Sequence, residues 1–202
     1  MTEKPSEEPE IETPRGPGRP RSEASRQAIL TAAYGLLRDR PLPEITSDAI
    51  AKSAGVSKAT LYRWWPSKEA IVLDGYFDAL ESRFVGPCTD DPMGDLRVHL
   101  NEGYATMAGP DGQIFASLVA SGHFHPHVRE ALNAELNSPR CQDTEKLVQR
   151  AIDAGLLRSE LDLVLAVDLL FGPVFFRLMT GAPVEENLAE RVLDQLIVGF
   201  GT

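Results

Sequence analysis

Several features that mark other classes of protein are scarce or absent in this chain. Only two cysteines occur among its 202 residues, and because Cys88 and Cys141 lie outside any paired-cysteine spacing, we interpret both as free thiols. A membrane-spanning helix requires about 20 consecutive apolar residues without a charge, and the sequence contains no such stretch. The acidic, proline-rich amino terminus has no signal-peptide core, which predicts a cytoplasmic protein without a membrane partner.

Motifs that carry catalysis are also missing. The chain has no Gly-x-Ser-x-Gly elbow, no phosphate-binding loop and no dinucleotide-binding glycine pattern. Ser121 lies near His123, but the surrounding sequence does not predict the strand-to-helix turn that exposes a nucleophile. We therefore predict neither an enzyme nor a cofactor.

Basic charge is in deficit, since 20 lysines and arginines face 30 acidic residues, for a net charge of −10. The deficit is unevenly distributed. Residues 13–73 carry ten basic and five acidic side chains, whereas residues 85–202 carry eight basic and seventeen acidic ones. This division predicts two parts: an amino-terminal one suited to a polyanion, and an acidic remainder that keeps the protein soluble and away from incidental DNA contacts.

What the chain does contain is a run of closely spaced helix signals between residues 46 and 69. Thr46 can cap one short helix, and Gly55 suits the left-handed conformation that ends it. Ser57 can then cap a second helix, which Pro66 terminates. Ser67 is placed to cap a third. Two short helices joined by so tight a turn predict a helix-turn-helix whose second helix enters a DNA groove.

These residues resemble the DNA-binding domain of the TetR repressor family. The resemblance rests on Ala54-Gly55-Val56-Ser57, Thr60-Leu61-Tyr62, an aromatic residue at Trp65 and Ser67-Lys68-Glu69, and it covers roughly residues 25–75. A preceding helix, capped by Ser22 or Ser25, completes a three-helix unit; its apolar positions are Ile29, Ala32, Ala33, Leu36 and Leu37.

The resemblance implies roles for individual residues. Leu61 and Trp65 should face inward. The positions that would meet bases and phosphates in the major groove are Ser57, Lys58, Thr60, Tyr62, Arg63 and Trp64. The positions that would contact phosphates at helix starts are Thr46, Ser47 and Lys68.

Ahead of this unit, residues 1–21 are rich in glutamate and proline and predict a disordered tail. Its end, Arg15-Gly16-Pro17-Gly18-Arg19-Pro20-Arg21, is similar to the core of AT-hook peptides. Arg19 and Arg21 would then lie along the minor groove of A·T-rich DNA. The alternative interpretation is an ordinary charged linker.

The remaining sequence predicts helices throughout, and therefore an all-α fold. We place a helix-turn-helix domain at residues 22–74 and a helical ligand-binding and dimerisation domain at residues 75–202. Apolar residues recur at three-to-four spacing, with no alternating strand pattern. The predicted segments of the second domain start near Pro92, Gln113, Pro126, Pro139, Asp162 and Glu185.

Two carboxy-terminal segments are too apolar for helices with one face in water. Pairing the segments 162–179 and 185–199 with those of a second copy would bury them in a four-helix bundle, which predicts a homodimer. The alternative is that both segments pack within one subunit. The predicted interface residues are Leu170, Val174, Leu188, Val192, Leu196 and Phe200.

The TetR resemblance further implies a repressor that binds a palindromic operator in double-stranded DNA and leaves it when a small-molecule effector binds. The alternative is a DNA-binding protein that acts architecturally or under the control of protein partners. Asp168 could meet a cationic ligand, or be a buried carboxylate with satisfied hydrogen bonds. The predicted pocket residues are Tyr104, Met107, Phe115, Leu118, Phe124, Asp168, Phe171 and Phe175.

One constellation resembles a metal site, because His123, His125 and His127 fall within five residues, with His99 or Glu130 as a further donor. Pro126 suits a first helical position, which would carry His127 away from the other two imidazoles. We interpret the segment as a helix joint and predict no metal.

Overall fold

The computed structural model describes residues 19–81, 88–137 and 142–200. The described residues form ten α-helices and one short 3-10 turn, with no strand, so the predicted all-α fold is confirmed. The helices are α1 (Arg19–Asp39), α2 (Ser47–Ala54), α3 (Lys58–Tyr62), α4 (Lys68–Glu81), α5 (Pro92–Ala108), α6 (Pro110–Phe124), α7 (Pro126–Leu136), α8 (Asp143–Asp153), α9 (Leu163–Thr180) and α10 (Leu188–Phe200).

The helix signals around Gly55 act as predicted. The Thr46 hydroxyl accepts a hydrogen bond from the Ala49 amide at 3.1 Å, and the Ser57 hydroxyl accepts one from the Thr60 amide at 3.2 Å. Gly55 ends α2 with φ 67°, in the left-handed region that glycine enters without steric cost. The chain therefore passes from α2 to α3 within three residues.

The first helix is longer than the sequence predicted. It begins at Arg19 rather than at Ser22 or Ser25, so the last three residues of the predicted tail belong to the helix. Residues 1–18 lie outside the described part of the chain. The buried face of α1 includes Ile29 and Leu30, which pack in the hydrophobic core of the amino-terminal unit.

Helix α4 joins the two predicted domains, and the boundary that we placed between residues 74 and 75 falls inside it. Every residue from Ile71 to Phe77 is buried, which requires packing on all sides of the helix. Helix α4 packs against α1 on one side and against α7 on another. It is therefore a central element shared by both parts of the molecule.

The second part is a bundle of the remaining helices around a continuous core. Helices α6, α8 and α10 start at Pro110, Asp143 and Leu188, a few residues from the predicted starts near Gln113, Pro139 and Glu185. Pro139 and Cys141 lie in the segment 138–141, outside the described residues; Cys88 is an exposed free thiol.

Polar contacts tie this bundle together. Asp95 on α5 accepts hydrogen bonds from the Arg150 guanidinium on α8 and from the Thr89 hydroxyl, both at 2.8 Å. Burial alone would raise the pKa of Asp95, but the bonds from Thr89 and Arg150 outweigh it and hold that pKa below its ordinary value. Asn101 on α5 donates to Glu190 on α10 at 2.6 Å. Helix α5 is thereby fixed to two neighbours.

Candidate nucleic-acid interface

Helix α3 separates a buried side from an exposed one, as the sequence predicted. The side chain of Leu61 is fully buried and Trp65, just beyond the helix, is 7% exposed. Tyr62 and Trp64 are 50% and 39% exposed, so two large aromatic side chains close together in the chain face solvent. The helix is also shorter than the predicted segment, because Arg63 is its C-cap and Trp64 lies in the following turn.

One hydrogen bond joins this exposed side to the start of α2, and another lies at the start of α3 itself. The hydroxyls of Ser47 and Tyr62 lie 2.6 Å apart, and those of Ser57 and Thr60 lie 2.9 Å apart. The guanidinium of Arg63 lies 5.7 Å from the centroid of the neighbouring Trp64 ring. The structure thus gathers the predicted groove residues and the predicted phosphate contact Ser47 on one surface.

One predicted DNA contact is already engaged in the free protein. The Lys58 ammonium lies 2.8 Å from a carboxylate oxygen of Asp48, on an exposed part of the surface. The hydrogen bond to Asp48 raises the pKa of Lys58. A phosphate that binds Lys58 must therefore compete with Asp48, a cost that the sequence did not reveal.

Lys68 also has contacts that the sequence did not predict. Its ammonium donates to the backbone carbonyls of Leu42 at 3.2 Å and Ile45 at 2.7 Å, and it lies 3.7 Å from the Glu69 carboxylate. Two of the three ammonium donors are thus directed at the segment just before α2. Lys68 is a brace between α4 and this segment.

A second set of contacts holds the residues just after α3. The buried carboxylate of Asp74 on α4 accepts hydrogen bonds from the indole nitrogen of Trp65 at 2.8 Å and from Arg26 on α1 at 3.0 Å. The Arg26 guanidinium also lies 5.8 Å from the Trp65 ring centroid. Asp74 was missed by sequence reasoning, since nothing in a mostly apolar segment indicates which helix its carboxylate faces.

The predicted minor-groove contacts lie at the start of α1. The backbone of Arg19 and Arg21 belongs to that helix, but their side chains, like residues 1–18, lie outside the described part. Their contact with DNA remains a prediction.

The predicted pocket residues divide into a buried group and an exposed one. Tyr104, Met107, Phe115 and Leu118 are buried, and Phe171 and Phe175 are partly buried beside them. Phe124 is 80% exposed and Asp168 is exposed as well, so their assignment to an enclosed pocket was wrong. Phe124 is the last residue of its helix, and Asp168 lies off the buried stripe of α9 formed by Ala166, Leu170 and Val174.

The aromatic members of the buried group form one continuous cluster. Ring centroids are 5.0 Å apart for Phe115 and Phe175, 6.0 Å for Phe171 and Phe175, and 6.3 Å for Tyr104 and Phe171. Burial raises the pKa of Tyr104 to about 12, so its hydroxyl stays protonated and donates to the Leu170 carbonyl. The cluster is apolar except for this hydroxyl.

The predicted dimer interface needs a correction. Leu170, Val174, Leu188 and Leu196 are buried inside the subunit, so they cannot present a surface to a second copy. Val192 is partly buried, and the side chain of Phe200 lies outside the described part. Sequence periodicity identified apolar helices correctly, but it could not indicate which of two apolar faces points inward.

A different apolar face remains exposed on these helices. Its members on α9 and α10 are Val164, Leu165, Leu169, Phe176, Met179 and Val198, with exposures between 43% and 80%. A groove of about 570 Å³ runs between the two helices, with Leu169, Pro173 and Val192 in its lining. By length and composition alone α9 could cross a membrane. Its buried stripe of Ala166, Leu170 and Val174 packs in the subunit core instead.

The histidine segment forms the predicted helix joint. His125 is the last residue before α7, which starts at Pro126, and the rings of His125 and His127 are 5.8 Å apart. Within the described ranges, no group of three His, Cys, Asp or Glu side chains is arranged to hold a metal ion. His127 instead approaches Glu69 on α4 at 3.7 Å.

The capped pair α2 and α3, the exposed side of α3 and the second helical bundle together define a helix-turn-helix DNA-binding regulator. Residues 29–74 match the model of bacterial regulatory proteins of the tetR family, and residues 87–196 match the model of the tetracyclin repressor-like carboxy-terminal domain. The chain belongs to the TetR family of transcriptional regulators. It is therefore a DNA-binding regulator rather than an enzyme, as the sequence predicted.

Individual relatives agree with this assignment. The chain is 33% identical over 171 residues to YdeS, an uncharacterized HTH-type transcriptional regulator of Bacillus subtilis, covering 84% of this chain and 86% of the relative. It is 48% identical over 62 residues to EthR of Mycobacterium tuberculosis, covering 30% of this chain and 29% of EthR. The crystal structure of the TetR family regulator SCO0332 superimposes with a TM-score of 0.75 at 31% identity, covering 87% of this chain and 97% of that one.

Proposed function

We propose that this protein is a dimeric repressor that binds a palindromic operator through α3 and is released by a small-molecule effector. The observation that carries the proposal is the exposed side of α3, where aromatic, hydroxyl and basic groups project beside the start of α2. Such a surface fits the major groove. The proposed contacts are Thr46, Ser47, Ser57, Lys58, Thr60, Tyr62, Arg63 and Trp64. Binding to chromosomal DNA would place the protein in the cytoplasm.

A second copy of the chain is the proposed occupant of the exposed apolar face on α9 and α10. The face continues along α9 from Val164 to Met179, with Val198 on α10, and so many exposed apolar side chains are rare on a monomer. A two-fold pairing of these helices gives a four-helix bundle. Two α3 helices about 34 Å apart would then read successive turns of one duplex, and their binding free energies would roughly add.

The proposed effector site is the aromatic cluster of Tyr104, Phe115, Phe171 and Phe175. Its chemistry, apolar rings with one hydroxyl whose hydrogen is bound to the Leu170 carbonyl, favours an apolar ligand with a single hydrogen-bond donor, from which the Tyr104 oxygen could accept. FadR of Bacillus subtilis was solved in complex with stearoyl-CoA and shares the fold with a TM-score of 0.59 at 20% identity. That likeness supports a ligand site in a helical domain of this kind.

A two-stage experiment tests the proposal. Genomic fragments retained by the purified protein at low salt are sequenced, and the recovered site is used in mobility-shift titrations. We expect a palindrome, and weaker binding by Tyr62→Ala than by the wild type, while Phe124→Ala, a change at an exposed aromatic residue on the other domain, leaves binding unaltered. Retention of no fragment would refute DNA regulation by this surface.

The second stage screens small molecules against the complex of protein and recovered site. A compound that releases DNA should also raise the melting temperature of the free protein, because it binds the folded state. Tyr104→Phe should weaken that effect if the hydroxyl contacts the ligand. DNA binding that no compound in a broad library alters would favour control by protein partners instead.

A further inference from the structure

Two tyrosines from different helices converge on one residue at the start of α6. The Tyr34 hydroxyl on α1 donates to the Asp111 carboxylate at 2.6 Å, and the Tyr76 hydroxyl on α4 donates to the Asp111 backbone carbonyl at 3.0 Å. Asp111 is 7% exposed and lies in the first turn of α6, where the helix dipole favours a carboxylate. We name Tyr34, Tyr76 and Asp111 the interdomain junction.

On one side of the junction, helices α2 and α3, which we name the reading unit, are fixed to α1 and α4. A Cβ atom at Gly75 would lie 2.7 Å from the Leu30 carbonyl oxygen, so α1 and α4 are in contact along their backbones. Asp74 holds Arg26 of α1 and Trp65 beside α3. The reading surface must therefore move together with α1 and α4.

On the other side, the junction is anchored in the second domain. A Cβ atom at Gly112 would overlap the Met107 carbonyl group, so the backbone at the end of α5 lies directly against the start of α6, the turn that carries Asp111. The Tyr76 ring stacks on Phe115 at 6.3 Å, and Phe115 stacks on Phe175 at 5.0 Å. The junction is thus continuous with the aromatic cluster.

We propose that Asp111 is a positioning residue that sets the angle between the reading unit and the second domain. The Asp111 carboxylate accepts the hydrogen bond from α1, and the Asp111 backbone carbonyl accepts the one from α4. A rotation of the reading unit relative to the second domain must therefore break one of these two bonds. The bond from Tyr34 should be the stronger of the two, because a short hydrogen bond to a carboxylate is stronger than one to a neutral carbonyl. The inference rests on the proposed dimeric operator binding, because this angle would fix the distance between the two α3 helices.

The test compares a full palindrome with a half-site, both taken from DNA recovered with the wild-type protein. A half-site engages one α3 and does not depend on the distance between the two, whereas the full site does. We expect Tyr34→Phe to weaken full-site binding about tenfold, within the usual range of coupling between sites, and to leave half-site binding unchanged. Tyr76→Phe, which removes the second bond, should act in the same direction.

Gln27→Ala is the matched control, because it removes the α1 to α4 hydrogen bond between Gln27 and Asp78 at 2.8 Å without crossing to α6. It should leave both affinities unchanged. Equal losses on the two sites for Tyr34→Phe would show a merely structural role, and no loss on either would show that the junction does not set the angle; both results overturn the inference. If the wild type retains no DNA at all, the proposed function itself fails, which is a distinct result.

Discussion

Lys68 offers the sharpest test of the interface, because the sequence and the structure give it different roles. If Lys68 binds a phosphate, its removal would weaken DNA binding alone. If it is a brace, its removal would loosen the segment before α2, since Lys68 donates to the carbonyls of Leu42 and Ile45. Lys68→Met keeps most of the side chain's length and apolar stem while removing the charge and the donors.

The expected magnitude follows from these two bonds. A hydrogen bond to a charged group contributes about 1.5–3 kcal/mol, and the bond to Ile45 at 2.7 Å has good geometry, whereas the bond to Leu42 at 3.2 Å is long. The methionine that replaces Lys68 is no longer held by these bonds, and its regained rotamer freedom offsets about 1.5–2 kcal/mol of the loss in stability. We therefore expect a net destabilisation of about 2 kcal/mol, or a melting temperature lower by about 4–8 °C for a domain of this size.

Thermal unfolding measures the first effect, and the salt dependence of DNA affinity measures the second. Removing one phosphate-binding lysine from each of two subunits would reduce the slope of log affinity against log salt by about 1.8. For a brace we expect a lower melting temperature and an unchanged slope. Lys52→Met, at an exposed lysine on α2, is the stability control. An unchanged melting temperature with a reduced slope would refute the brace and restore the phosphate-binding role.

Three further predictions concern other parts of the molecule. Phe176→Asp should raise the dissociation constant of the proposed dimer at least about a hundredfold, because pairing would bury the exposed Phe176 ring of each subunit and the loss of both burials costs about 3–6 kcal/mol in total; sedimentation measures this, and Phe124→Asp should leave the dimer intact. Asp48→Asn should strengthen DNA binding severalfold at low salt, because it frees Lys58 and removes a negative charge beside the phosphates; weaker binding in a fluorescence titration would contradict this. Burial lowers the pKa of His99 from 6.5, so the folded state takes up that proton at a lower pH than the unfolded chain. The free energy of unfolding should then fall as the pH drops below about 6.5, and His99→Gln should flatten this part of the curve in denaturant titrations.

The sequence predicted the parts of the fold that depend on local chemistry. The caps at Thr46 and Ser57 are hydrogen bonds from amides three residues away, and Gly55 itself adopts the left-handed conformation that ends α2. Such features are encoded within a few residues. The inward orientation of Leu61 and Trp65 followed from the family resemblance.

The parts that the sequence did not predict depend on partners far along the chain. Lys68 reaches back to carbonyls 23 and 26 residues earlier, and Tyr34 meets Asp111 77 residues later. Apolar spacing in α9 also left two faces equivalent, so Leu170 was assigned to the dimer although it is buried, while Phe176 was left out. Only the packing of neighbouring helices distinguishes these faces.

The brevity of α3 has a consequence for how the specificity of this protein can change. Leu61 is the buried residue of this helix, and its capping is supplied by Ser57 from outside the helix. The stability of the fold therefore depends little on the identity of the side chains at Lys58, Ala59 and Tyr62. Libraries randomised at these positions should consist mostly of folded proteins with altered DNA preferences. This short helix is therefore a practical starting point for engineering proteins that recognise new operators.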